Sequence, residues 1–344
     1  MRRFFMRINN VSLKSISLTM QKFLFILLCI GQITLAQTTI KDSITSYPVS
    51  YATISFGNGN GLFADDEGHF VFTKKLYPDI DSLFISALGF KDLNIATKNL
   101  PAQLLMQPQA QQLDAVIIAN KIDRKFKEEK LKPSLDDDYY NCWLPTIESE
   151  IAVYFSKTTT KDQKLTSVLF PIALESKDWN KRERKNSEKK KFSTLFKVKF
   201  YQNNDGLPGK VLTYETIVFR ATEKDGDAHV LNVDDFDIYI PENGFFVSLQ
   251  VLGYTNKAGK LLPNKKYKEL VSKNGSVVKI PTNFRPLLPF TDEVENKNTY
   301  IKRVFINGNN WVKFEKGNGL QSSLLKRDLY NYGIGITYKT FKGE

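Results

Sequence analysis

Residues 61–72, GLFADDEGHFVF, gather Asp65, Asp66, Glu67 and His69 into one short stretch. Side chains of these types hold divalent cations or serve as general acids and bases. A catalytic zinc site takes two His and a Glu, usually with His-x-x-Glu supplying two of the ligands. The chain has only His69 and His229, and three positions after them stand Phe72 and Asn232. Neither His-x-x-Glu nor His-Glu-x-x-His occurs, so a zinc peptidase has no ligand set here. Calcium asks for about six to eight oxygens from a fixed loop. Consecutive side chains in extended chain alternate between faces, so Asp65, Asp66 and Glu67 read as solvated acids of a tight turn.

The other clusters read the same way. Asp136 to Asp138 fall in a charged stretch. In residues 203–209, NNDGLPG, the Asn and Asp side chains close local turns, Gly206 takes positive φ and Pro208 sets the exit. Asp234, Asp235 and Asp237 precede an expected strand, where alternation puts Asp235 and Asp237 on one face as a weak ion site. Residues 177–192, KDWNKRERKNSEKKKF, hold eight basic and three acidic residues with only Trp179 among them. A nucleic-acid groove would interleave more aromatics, so the run reads as a solvated loop, with an acidic envelope polymer as the other contact. Trp143, Trp179 and Trp311 are candidates for stacking on sugars, and the plainer expectation for Trp143 and Trp311 is packing. No Gly-x-Ser-x-Gly elbow is present. The expected catalytic, cofactor and metal residues are therefore none.

The elements around these residues follow period two. Val49 to Phe56, residues 68–73, Leu83/Ile85/Ala87 against Ser82/Ser86, residues 103–108 and 113–120 form short strands with turns between them, an antiparallel sandwich. Residues 119–144 are charged and read as a linker, with a short amphipathic helix over Ile122 and Phe126. Beyond it, LFKVKFY alternates Phe196, Val198 and Phe200 with Lys197 and Lys199, and DDFDIYI alternates Phe236, Ile238 and Ile240. With the strands that follow, the count reaches roughly eight to ten, the size of a jelly roll. Residues 256–275 read as an insertion, part loop and part helix.

At the N-terminus Lys22 precedes FLFILLCI and then GQITLAQ, a signal-peptide pattern with cleavage after Ala36 and Met20 as a second possible start. The apolar run falls short of the about 20 residues that span a bilayer, and Leu28 before Cys29 does not suit lipidation. Cleavage leaves Cys142 as the one cysteine, read as an inert core or boundary residue without a disulfide. The net charge is +12. Arg2, Arg3, Arg7, Lys14 and Lys22 supply five of it with no acid before residue 37, which leaves a mildly basic +7 that does not suggest nucleic acid.

Pro48, Val49, Ala52 and Ile54, then Gly61, Asp65, Glu67, Gly68 and Phe70, stand in a recurring order. Asp81, Leu83, Ile85, Ser86, Gly89 and Phe90 follow, and Leu113 and Val116 close it. In this order the stretch resembles the carboxypeptidase-like regulatory domain of exported Bacteroidetes proteins, with Ala64 in place of the usual Thr. The resemblance implies a transthyretin-like sandwich and no chemistry. The expected organisation is a signal peptide (1–36), this regulatory domain (37–118), a charged linker (119–144) and a larger jelly-roll-like β-sandwich (145–344), all-β throughout. The expected function is a non-enzymatic protein of the periplasm, outer membrane or cell surface that binds a protein or glycan partner, with no transmembrane span after cleavage. The alternative is a glycan-active hydrolase or lyase using carboxylates of the second sandwich.

Overall fold

The computed structural model describes residues 37–109, 124–136, 138–177, 188–263, 267–272, 274–280, 282–293, 297–308 and 310–342. The expected signal peptide, the closing strand with Leu113 and Val116, and Trp179 with most of the basic run lie outside the described residues. The fold is all-β, with one short helix, α1 (Ser323–Lys326), among the described residues.

The first seven strands are β1 (Gln37–Asp42), β2 (Thr53–Ser55), β3 (Gly61–Phe63), β4 (His69–Val71), β5 (Ser82–Ser86), β6 (Leu93–Ala96) and β7 (Gln103–Met106). They form two sheets, β4-β1-β7 and β3-β2-β5-β6, with β1 and β7 parallel. Alternation sends Ile54, Leu83 and Ile85 inward, where they meet Ile40, Phe70 and Phe72. Gly68 reverses the chain at φ +73, and a Cβ there would meet the Ile40 carbonyl oxygen at 2.5 Å, so only glycine fits.

The remaining strands begin with β8 (Phe126–Leu131), β9 (Cys142–Trp143), β10 (Ser149–Phe155), β11 (Gln163–Pro171) and β12 (Ser193–Asn204). Next come β13 (Leu207–Val211), β14 (Ile217–Thr222), β15 (Ala228–Asn232) and β16 (Phe245–Tyr254). Then follow β17 (Lys268–Val271), β18 (Val277–Ile280), β19 (Leu288–Thr291), β20 (Thr299–Arg303), β21 (Val312–Lys313), β22 (Asn331–Tyr332) and β23 (Gly335–Phe341). A seven-stranded sheet, β13-β12-β16-β10-β20-β21 with β14 also on β12, shares one core with the four-stranded sheet β15-β11-β23-β8. Phe196, Val198 and Phe200 enter that core as their alternation predicts, and Phe170 stacks on Phe219 at 5.1 Å.

Three expectations are corrected. The charged stretch read as a linker carries β8, which pairs along its length with β23, so Phe126 opens a strand rather than a helix. As an edge strand β8 keeps charge on its faces: Lys127 lies 2.9 Å from Glu129, and Glu129 accepts from Thr340 at 2.7 Å. The supposed insertion carries β17, which pairs with β18 just beyond it, and among its described residues there is no helix. DDFDIYI forms a 3-10 turn over Asp234–Phe236, followed by Asp237 at φ 49, although Ile238 and Ile240 are still buried.

From Thr38 onward the chain is one compact unit. Phe63 of β3 lies in the core of the larger sandwich, 5.3 Å from Phe305, and Ser55 Oγ donates to the Phe305 carbonyl at 2.8 Å. Tyr267, just before β17, is buried in the core of the smaller sandwich, and Lys279 of β18 pairs with Asp79.

Candidate functional site

The second sandwich buries one face of its large sheet in its own core and turns the other toward the small sandwich. Residues paired in register on neighbouring strands share a face. On the outer face the register lines up Lys197 with Gln250, Gln250 with Glu150, and Glu150 with Lys302. One step along, Lys199 pairs with Ser248, Ser248 with Ala152, and Ala152 with Tyr300. A step further, Tyr201, Phe246 and Tyr154 form an aromatic row, with Trp311 edge-on to Tyr201 at 5.7 Å. A polar row thus runs beneath the small sandwich and passes into an aromatic one.

Glu150 organises the polar part. It is 2% exposed, accepts from Tyr201 Oη at 2.9 Å and Ser248 Oγ at 2.7 Å, and lies 3.2 Å from Lys199 Nζ. Burial pushes its carboxyl up, but Lys199, the two hydroxyls and Lys302 outweigh burial and hold it below the usual range. Burial and the neighbouring carboxylate drive the Tyr201 phenol well above its ordinary value. Gln250, 1% exposed, has no hydrogen-bond partner for either amide atom.

Lys197 differs from Lys199. Its Nζ donates to the main-chain carbonyl of Tyr51 at 2.6 Å, and among the described residues no carboxylate lies within 4.0 Å of it. Desolvation and then the Lys199 charge pull it down to about 7, against a weaker opposing pull from Glu150. Tyr51 holds φ 54, uncommon for a bulky residue. Because the folded state releases the Lys197 proton near pH 7 and the unfolded chain only near about 10.4, stability rises with pH across that window. A gain of about 1 kcal/mol between pH 7 and 8 is expected in urea unfolding, and it disappears in Lys197→Met.

The two sandwiches leave a cleft of about 490 Å³ over this end of the row, lined by Tyr51, Ser86, Phe90, Lys197, Lys199 and Tyr214 among others. A second cleft, about 420 Å³, opens at the other end beside Lys302. The alternation of Lys197 and Lys199 with Phe196, Val198 and Phe200 keeps the lysines out of their own core without saying what covers them. The available signal was β16, FFVSLQVLGY, buried at every position but its last, as a strand covered on both faces must be.

The clusters named from sequence have local roles. Asp65 is buried rather than solvated, and its Oδ1 accepts from the N–H groups of Glu67 at 3.0 Å and His69 at 2.8 Å. The tight turn at Gly68, closed by Asp65 N to the His69 carbonyl, brings Asp65, Glu67 and His69 together, with ligand atoms within 4.8 Å of one another. The cation beside them is Lys260 of the larger sandwich, 2.7 Å from Glu67, so the cluster ties the two sandwiches.

Asp234 and Asp237, rather than Asp235 and Asp237, are brought together: Lys164 lies 3.1 and 2.6 Å from them, and Lys339 is 2.7 Å from Asp234. Asp136 accepts from Asp138 N and Asn141 Nδ2, and Asp138 caps the turn Tyr139–Asn141. In NNDGLPG, Asn203 Oδ1 accepts from Gly206 N at 2.8 Å within the β12–β13 hairpin. His229 pairs with Asp225 at 2.5 Å and stacks on Phe219 at 4.2 Å. Among the described residues no hydroxyl or thiol side chain bonds its ring. Cys142 is half-buried, and Trp143 packs edge-on to Phe290.

No family model matches the chain, and no curated protein does. Among solved structures it is similar to the cysteine protease and lectin-like domains of Cwp84, a surface layer associated protein of Clostridium difficile. Identity is 12% and the TM-score 0.30, over 62% of this chain and 36% of that one. A likeness that low carries no functional argument, and the chain spans about a third of that protein's length. Among the described residues no helix is long and apolar enough to cross a membrane.

Proposed function

We propose that this is an exported, non-enzymatic binding protein of the cell envelope that receives a protein or glycan partner in the cleft between its two sandwiches. The observation that carries this reading is the placement of Lys197 and Lys199 of a central strand in a concave site walled by tyrosines. Export rests on the charged, apolar and small-residue succession at the N-terminus. The resemblance of the first sandwich to the regulatory domain of exported proteins supports the same compartment.

Purified full chain screened on a glycan array and against envelope extracts is expected to bind a defined ligand. Leu88→Trp, at a cleft-lining position that packs against neither core, abolishes that binding without lowering the urea midpoint. Binding unaffected by Leu88→Trp overturns the cleft assignment, and turnover of the ligand overturns the non-enzymatic reading.

The alternative, a glycan hydrolase or lyase, finds its best pair in Glu148 and Glu150. Burial raises the Glu148 carboxyl while the Lys199 charge and hydroxyl bonds keep Glu150 low, the kind of split an acid and a base need. Both are buried, however, and both oxygens of Glu150 are already engaged. Glycan turnover lost in Glu148→Gln would favour this alternative.

A further inference from the structure

We propose that the cleft takes an acidic saccharide, whose carboxylate sits against Lys197 as the counter-charge this lysine lacks. The inference rests on the reading of the cleft as the ligand site and names the ligand's chemistry.

Charge in the cleft is unbalanced at one point. Lys197 and Lys199 stand on the same face of β12 and both line the cleft. Lys199 has Glu150 at 3.2 Å. Lys197 has a main-chain carbonyl, held toward it by Tyr51 in a left-handed conformation, and the Phe63 ring at 5.8 Å, and among the described residues no carboxylate within 4.0 Å. An ammonium withdrawn from water without an anion is unfavourable, and a ligand carboxylate relieves that cost where a neutral group does not.

The rest of the lining favours a sugar over a peptide. Ser50, Thr53, Ser86 and Thr216 supply hydroxyls, and Tyr51, Tyr201 and Tyr214 supply rings with polar tips. The space is a concave site of small-ligand size rather than the flat area of a protein interface.

Groups facing Lys197 set the pH response. Lys199 and Tyr201 come from its own strand, Glu150 from β10, Tyr51 from the small sandwich, and Tyr214 and the exposed Glu215 from the rim. Among these Lys197 changes charge near neutrality, lying at about 7 in the free protein. A carboxylate beside it favours the protonated form, so binding takes up a proton.

The test is calorimetry on the full chain with an oligogalacturonate and, in parallel, the neutral oligogalactoside of the same length, in two buffers of different ionisation enthalpy. The oligogalacturonate is expected to bind about twenty-fold more tightly near pH 6.5 than near pH 8.5, with proton uptake. Lys197→Met removes this binding, and Lys197→Arg keeps binding while abolishing the pH dependence. Equal, pH-independent binding of both sugars overturns the acidic-ligand inference and leaves the cleft reading standing. Binding of poly-glutamate with the same pH response, and of neither sugar, overturns the saccharide in favour of an acidic peptide. Ligand binding that survives Leu88→Trp overturns the inference and the cleft reading together.

Discussion

Glu150→Leu is expected to lower the unfolding free energy by about 3–5 kcal/mol, the loss typical of breaking a buried charged network from one side. The carboxylate is the common acceptor of Tyr201 and Ser248 and the counter-charge of Lys199. Its removal strands two buried hydroxyls and leaves an ammonium half withdrawn from water, each an uncompensated polar group. Glu150→Gln keeps the shape and an acceptor oxygen but drops the charge, so about 1–2 kcal/mol is expected. Adding Lys199→Leu to Glu150→Leu should recover part of the larger loss, because the stranded ammonium leaves too. Urea unfolding followed by tryptophan fluorescence measures all three. A loss below about 1 kcal/mol for Glu150→Leu would mean that water already reaches the row, and the account of a sealed polar network would fail.

The same row shows where sequence reading stops. Period two in LFKVKFY separates Phe196, Val198 and Phe200 from Lys197 and Lys199, and the structure keeps that separation. Alternation states only that the lysines avoid their own core. Whether the other face meets water or a second sandwich depends on strands more than a hundred residues away. The DSLFIS stretch is the matching case. Leu83 and Ile85 are readable as core, but Ser86 lines both interdomain clefts, which no local pattern announces.

The acidic turn was legible in another way. Gly68 and Phe70 identify a tight reversal into a strand, and the structure has it. Weighing only the consecutive acids hid the set Asp65, Glu67 and His69, which the reversal at Gly68 folds together. Lys260, which answers them, comes from the other sandwich and has no signature near the turn. Likewise FKEEKL in β8 reads as solvated linker because an edge strand buries little and carries charges on both sides.

Phe305→Ala tests whether the two sandwiches behave as one cooperative unit. Phe305 is fully buried, stacks near Phe63 of the small sandwich, and its carbonyl accepts from Ser55 Oγ and from Gly59 N at 3.2 Å. Truncating a buried phenylalanine costs about 3–5 kcal/mol, and here the cavity opens between the sandwiches. The expected result is a single urea transition in the parent and two in Phe305→Ala, with amide exchange accelerated first in β2 and β3.

Gly61 supplies the converse perturbation. A Cβ there would lie 2.4 Å from both the Phe305 ring and the Ile54 carbonyl oxygen. Gly61→Ala should therefore destabilise by about 1–3 kcal/mol through overpacking. In Phe305→Ala the ring clash vanishes while the backbone clash with Ile54 stays, so the double variant should lose less than the two single losses combined. Strict additivity would mean that the clash lies entirely with the Ile54 backbone. A single sharp transition in Phe305→Ala would show that Lys260, Tyr267 and Lys279 suffice to couple the sandwiches without the aromatic plug.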